Sequence, residues 1–172
     1  MDSMGSTDSP FDRSRFKQVV SHLPSGVTIV TAQGPAGAPV GFTASAVTSL
    51  SLDPMLMLVC VGHDNETLAV IRSAGAFALH VLQAEHAERA LRFAGSEREN
   101  RFEGLDVSQR LTGAPILADS LAWLECRLQR CVPAGDHDIV IGEVVGGACS
   151  EGLPLLYWRG QLSGTLVEPP DS

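Results

Sequence analysis

Phe16, Val19, Val20 and Leu23 recur at the i, i+3, i+4, i+7 spacing of an amphipathic helix, which Pro24 and Gly26 then close. Residues 27–31 are β-branched throughout and predict a strand. Gln33 to Pro39 is rich in Gly and Pro and predicts a turn, and a second strand starts at Val40. Residues 55–61 form an unbroken apolar run between Asp53-Pro54 and Gly62, the pattern of a buried strand. A helix over 66–74, with Leu68, Ile71 and Arg72 on one side, a strand over 76–82 and a helix over 84–94 follow. Residues 95–106 read as a charged, mobile connection. Ala122, Leu124, Cys126 and Leu128 alternate with Trp123, Glu125, Arg127 and Gln129, which predicts a strand with one wet face. Runs at 139–145, 155–158 and 161–167 complete a set of about seven strands.

Short strands with hairpin-like turns and few helices favour an antiparallel barrel or sandwich over a βαβ fold. Gly34, Gly37 and Gly41 lack the dinucleotide-binding spacing, and no Walker motif occurs, so a phosphate would have to be held in another way. The length of 172 residues with 44% hydrophobic content suits one domain with an apolar core, needing neither disulfides nor a structural metal. Residues 1–10 read as a flexible tail, 11–168 as the domain and 169–172 as a second tail. A net charge of -8 argues against nucleic acid and anionic membrane surfaces as partners. Cys60, Cys126, Cys131 and Cys149 form no CxxC pair and read as buried free thiols of a reducing compartment. With no secretory h-region and no apolar run of about 18 residues, a soluble cytoplasmic protein is expected.

Two segments carry candidate chemistry. In residues 41–53 (GFTASAVTSLSLD), the hydroxyls of Thr43, Ser45, Thr48, Ser49 and Ser51 crowd into nine residues. They suit either an uncharged ligand cradle or a solvated strand and turn. In Gly135-Asp136-His137-Asp138 a histidine lies between two carboxylates, open to proton transfer or substrate hydrogen bonding, or simply marking a turn into the next strand. His22, His63, His80 and His86 form no metal-ligand pattern, so no metal site is expected. A serine hydrolase is disfavoured by the lack of a GxSxG elbow. Cys60, among Leu58, Val59 and Val61, reads as core rather than nucleophile. Tyr157 and Trp158 could stack on a planar ligand or pack a hairpin.

Taken in order, SGVTIVT (25–31), GFTASAVTSLSLDP (41–54), LVCV (58–61), Arg101-Phe102, GAPIL (113–117), GDH (135–137) and PLLY (154–157) resemble the flavin reductase-like family across most of the chain. The resemblance implies a mainly β fold, an antiparallel Greek-key split β-barrel with flanking helices, and a homodimer with flavin near the subunit interface. It implies NAD(P)H-dependent reduction of FMN or FAD, with NADH favoured, supplying a flavin-dependent monooxygenase. A non-catalytic flavin- or haem-binding module of the same architecture is the alternative. By the resemblance, Thr43, Ala44, Ser45, Val47, Thr48, Ser49 and Ser51 match the flavin cradle. Cys60 and Val61 match backbone contacts, Arg101 a phosphate partner, His137 the nicotinamide-side catalytic histidine and Tyr157 a second contact. Where such proteins often carry an asparagine, this chain has His80.

Overall fold

The structure is a computed structural model and describes residues 11–164, so both predicted tails and residues 165–168 lie outside the described residues. In chain order the helices are α1 (Arg13–Val20), α2 (Glu66–Ala74) and α3 (Ala87–Ala94). The strands are β1 (Ser25–Gly26), β2 (Thr28–Gln33), β3 (Pro39–Ala44), β4 (Val47–Leu52), β5 (Met55–Gly62), β6 (Ala76–Val81), β7 (Val107–Gln109), β8 (Pro115–Leu117), β9 (Ala122–Ala134), β10 (His137–Cys149), β11 (Leu156–Trp158) and β12 (Gln161–Ser163).

Seven strands form one antiparallel sheet in the order β3-β2-β6-β9-β10-β5-β4. Its two edge strands are neighbours in sequence, separated only by Ser45 and Ala46. Three Cα steps reach about 11 Å at most, so the sheet must curl until its edges approach. The Cys60 N–H donates to the Ala46 carbonyl at 3.0 Å and ties β5 to that link. This is the antiparallel split barrel that the resemblance implies.

Alternation along the strands sends Val30, Phe42, Val59, Val61, Phe77, Leu79, Cys126 and Val140 into the barrel, where Leu68 and Ile71 of α2 join them. On the outer side of β2 and β6, Val27, Ile29 and Leu82 pack against Ala90 and Phe93 of α3 and Leu117 of β8. Asn65 caps α2 by accepting from the Thr67 N–H at 3.0 Å, and Gly75 ends it in the left-handed conformation.

Several expectations need correction. Helix α1 forms, capped by Asp12, but buries no residue: Phe16 is 53% and Val19 57% exposed, so its apolar face has no cover within the described chain. Strand β5 is buried only at Val59 and Val61, because no element of the described chain covers its outer face. The wet face of β9 holds at Arg127 and Gln129 but fails at Glu125, which is fully buried. Its carboxylate accepts the Thr112 hydroxyl and N–H, both at 2.8 Å, and the Leu111 N–H at 3.2 Å. Residues 84–86 form a turn, so α3 starts at Ala87. Cys149 is exposed and Cys60 and Cys131 half-buried, which leaves Cys126 as the one cysteine fully buried among these free thiols.

Candidate functional site

Two hollows draw on the β3–β4 region, one lined by β3 and the other by its link to β4. The first is a cavity of about 430 Å³, lined by Gly41 and Thr43 of β3, by Asp64 and Thr67 at the start of α2, and by Arg98 and Arg101. That volume lies within the range of small-molecule sites. The second is a hollow of about 650 Å³ between Phe16, Val20 and Leu23 and the trio Ser45, Ala46 and Tyr157.

The five hydroxyls of residues 41–53 divide by strand alternation and by partner. Thr43 donates to the Ala90 carbonyl at 2.6 Å and fixes α3 to β3. Ser51 accepts from the Asp53 N–H at 3.2 Å, and Thr48 makes a long local bond to the Ser49 carbonyl at 3.3 Å. Ser45 and Ser49 are exposed, and their hydroxyls make no hydrogen bond among the described residues. Ala44 is a core side chain whose carbonyl accepts from the Thr28 hydroxyl at 2.8 Å. Val47 packs on the barrel interior opposite Val59. Val61 is fully buried, so only its backbone can meet a ligand, whereas the Cys60 N–H is already committed to Ala46.

Arg101 spends three of its five N–H donors on backbone carbonyls: Gly41 at 2.6 Å, Gly95 at 2.5 Å and Glu97 at 3.3 Å. Partial burial, reinforced by the neighbouring Arg98, lowers its pKa, with Glu66 acting in the opposite direction, and it stays cationic. Arg98 is paired with Glu66, which also lines the cavity.

His137 opens β10 opposite Gly62 of β5. Its Nδ1 lies 2.7 Å from Asp136 Oδ1, and that hydrogen bond holds the Asp136 carboxyl below the usual range. A side chain at position 62 would begin 2.8 Å from Asp64 Oδ1 and 3.7 Å from His137 Nε2. Gly62 thus lies between His137 and Asp64, and Asp64 lines the smaller cavity. The histidine between two carboxylates is corrected in one respect: Asp138 alternates inward, is 1% exposed, and binds His63 and Arg72 instead.

The structure therefore gathers Thr43 and Arg101 at the smaller cavity and Ser45 with Tyr157 at the larger hollow, while His137 lies outside the lining, across Gly62 from the cavity residue Asp64. Thr48, Ser49 and Ser51 run along the edge strand away from the link. Sequence reasoning missed the α2 side of the cavity, residues 64–67, and Arg98; the Asn65 cap ahead of an apolar-periodic helix was the available signal. Among the described residues there is no group of three or more His, Cys, Asp or Glu able to hold a metal, and no helix is long and apolar enough to cross a membrane. Burial pushes the Cys126 thiol up to about 12, with Glu125 adding to it, so that thiol is a packing group and not a nucleophile.

These features define an antiparallel split barrel with two surface hollows. The chain belongs to the flavin reductase like domain family, whose model matches residues 20–165. It is 40% identical over 161 residues to a flavin reductase (NADH) of Kitasatospora aureofaciens, covering 91% of this chain and 84% of that protein. To the stachydrine N-demethylase reductase subunit of Rhizobium meliloti (strain 1021) it is 37% identical over 150 residues, which is 87% of this chain. The chain spans 65% and 49% of the length of the two Rhizobium meliloti relatives it matches. The crystallised Streptomyces globisporus NADH:FAD oxidoreductase in complex with NAD and FAD fragments superposes with a TM-score of 0.84 at 33% identity, covering 97% of this chain and 99% of that one.

The donor set fits a flavin. Ser45 and Ser49 offer free hydroxyls on the link and edge strand, Arg101 retains two N–H donors in the cavity, and Tyr157 is 39% exposed beside Ser45. None of these groups needs a metal to act.

Proposed function

We propose that the protein reduces FMN or FAD with NADH and hands the reduced flavin to a flavin-dependent monooxygenase. The observation that carries this reading is His137, held by Asp136 and lying across Gly62 from Asp64, which lines the same cavity as Thr43 and Arg101. A flavin supplies hydride acceptance from reduced nicotinamide when bound. The chain's part is binding and orientation. Ser45, Thr48 and Ser49, with the backbone of Ala44, Val47, Cys60 and Val61, form the cradle, shaped by Thr43 and Ser51; Arg101 meets the phosphate and Tyr157 the ring system. With Nδ1 engaged by Asp136, His137 leaves Nε2 to hydrogen-bond the carboxamide of nicotinamide.

NADH is taken as the donor because the relatives whose names give a nicotinamide donor name NADH. Mixed in air with FMN or FAD, the protein should consume NADH only when flavin is added, and consume NADPH more slowly. Flavin binding without NADH loss would favour the non-catalytic module.

We further propose that two copies associate and that the protein works in the cytoplasm, where its four free cysteines stay reduced. Phe16, Val19 and Val20 on α1, with Leu23 just beyond it, are exposed large apolar side chains that a second copy would bury. Light scattering should give the mass of two chains rather than 18.2 kDa, and Phe16→Glu with Val20→Glu should return that single-chain mass. A monodisperse single chain in the unaltered protein would refute the dimer.

A further inference from the structure

Asp138 follows His137 directly and yet points the other way, into the end of the barrel, where it is 1% exposed. Its Oδ1 accepts from His63 Nε2 at 2.9 Å, and its other oxygen is paired with Arg72 of α2. The main-chain N–H of His63 donates to the Asp136 carbonyl at 3.0 Å, so the turn that carries His137 is fastened to residues 62–64 through backbone as well as side chain. Residues 64–67 in turn line the cavity. One buried carboxylate thus joins three pieces: the strand presenting His137, the loop leading into α2, and the helix whose first turn walls the cavity. A carboxylate held by two cationic or N–H partners in the interior has one favoured geometry, because any shift leaves a buried charge without its partner.

We propose that His63, Asp138 and Arg72 form a positioning device that sets the distance of His137 from the α2 wall of the cavity. This rests on the reading of His137 as the nicotinamide contact. None of the three residues need touch a substrate. His63 is the lever of choice for a test, since its side chain is 48% exposed and Arg72 still compensates Asp138 when it is lost. Glutamine at position 63 keeps an amide N–H in place of Nε2–H and cannot become charged.

His63→Ala should raise the NADH KM about fivefold, less than the full worth of a hydrogen bond to a charged group because Arg72 still holds Asp138, with kcat and flavin Kd changed less than twofold. His63→Gln should bring KM back to within about twofold of the unaltered enzyme. His137→Ala, measured alongside, should raise the NADH KM at least as much as His63→Ala. An unchanged KM in His63→Ala with a raised one in His137→Ala overturns the positioning role and leaves the His137 reading standing. An unchanged KM in His137→Ala overturns that reading and the positioning role with it. A flavin Kd that rises with KM in His63→Ala, or a glutamine variant no better than alanine, marks general loosening of the cavity and also overturns the proposal.

Discussion

Gly142→Ala is expected to lower the melting temperature by roughly 6–12 °C, the effect of about 3 kcal/mol of overpacking in a chain of this size. A Cβ at position 142 would lie 2.6 Å from two ring atoms of Phe77 and 2.7 Å from Cβ of Cys126. Both neighbours are fully buried, and Phe77 is among the largest side chains of the core. Close-packed interiors give way only by shifting backbone or forcing a side chain off its rotamer, so the ring has nowhere cheap to go. The pairing of β10 with β9 also changes register between Ile141 and Gly142, which bends the strand where the ring crosses it. Circular dichroism melts check the shift. Phe77→Leu opens a cavity when made alone, but combined with Gly142→Ala it should cost less than the two losses added together. Strict additivity, or an unshifted melt for the alanine variant, would mean that the glycine does not make room for Phe77.

That glycine illustrates what local pattern reading conveys and what it omits. Helix α2 was legible because Leu68 and Ile71 keep the helical period between a capping Asn65 and a terminating Gly75. Strands β2, β6 and β10 were legible from β-branched and apolar runs. Choosing barrel over sandwich was not possible from periodicity, because closure depends on β3 and β4 becoming opposite edges of one sheet, a long-range fact. The resemblance to a family supplied that step. The uncovered faces of α1 and β5 look, as patterns, like core elements; only the three-dimensional arrangement shows that the described chain has nothing to lay on them.

The site divides in the same way. The segment 41–53 and the GDH turn were visible as chemistry, and His137 does stand beside residues that line the cavity. Whether a given hydroxyl is free was not visible: Thr43 looks no different from Ser45 in sequence, yet one is committed to Ala90 and the other to nothing in the described chain. The same holds for Arg101, whose carbonyl partners at positions 41, 95 and 97 depend on how residues 95–101 fold back on β3. In chain order Asp138 flanks His137, whereas strand alternation turns it to the opposite side and makes it the anchor of α2.

Stability should fall by roughly 3 kcal/mol as pH drops from about 7 to 4, through protonation of His80. The ring is fully buried on β6, its Nδ1–H donates to the Ile29 carbonyl at 3.0 Å, and Nε2 has no partner. Burial pushes its pKa down to about 4; the Ile29 carbonyl opposes this, Arg89 lowers it further and Asp119 raises it. An unfolded histidine titrates near 6.5, so between roughly 6.5 and 4 the unfolded chain binds more protons than the folded one and stability rises with pH. The contribution is fully present above about 6.5 and gone below about 4. His86 faces the same region with Arg89 and Asp119, and burial lowers its pKa too, so it adds a loss of the same sign with or without His80, while the Arg89 hydrogen bond holds the Asp119 carboxyl below its usual range. His80→Asn retains an N–H for Ile29 and cannot titrate. Its stability at neutral pH falls because asparagine leaves space unfilled, so the discriminating quantity is the slope. Urea unfolding at pH 7, 5.5 and 4 should show the steep decline in the unaltered protein and a shallower one in the asparagine variant, with the His86 loss and the carboxylate-driven loss below pH 4 common to both. Equal slopes in the two proteins across pH 7 to 4 would exclude His80 as the source.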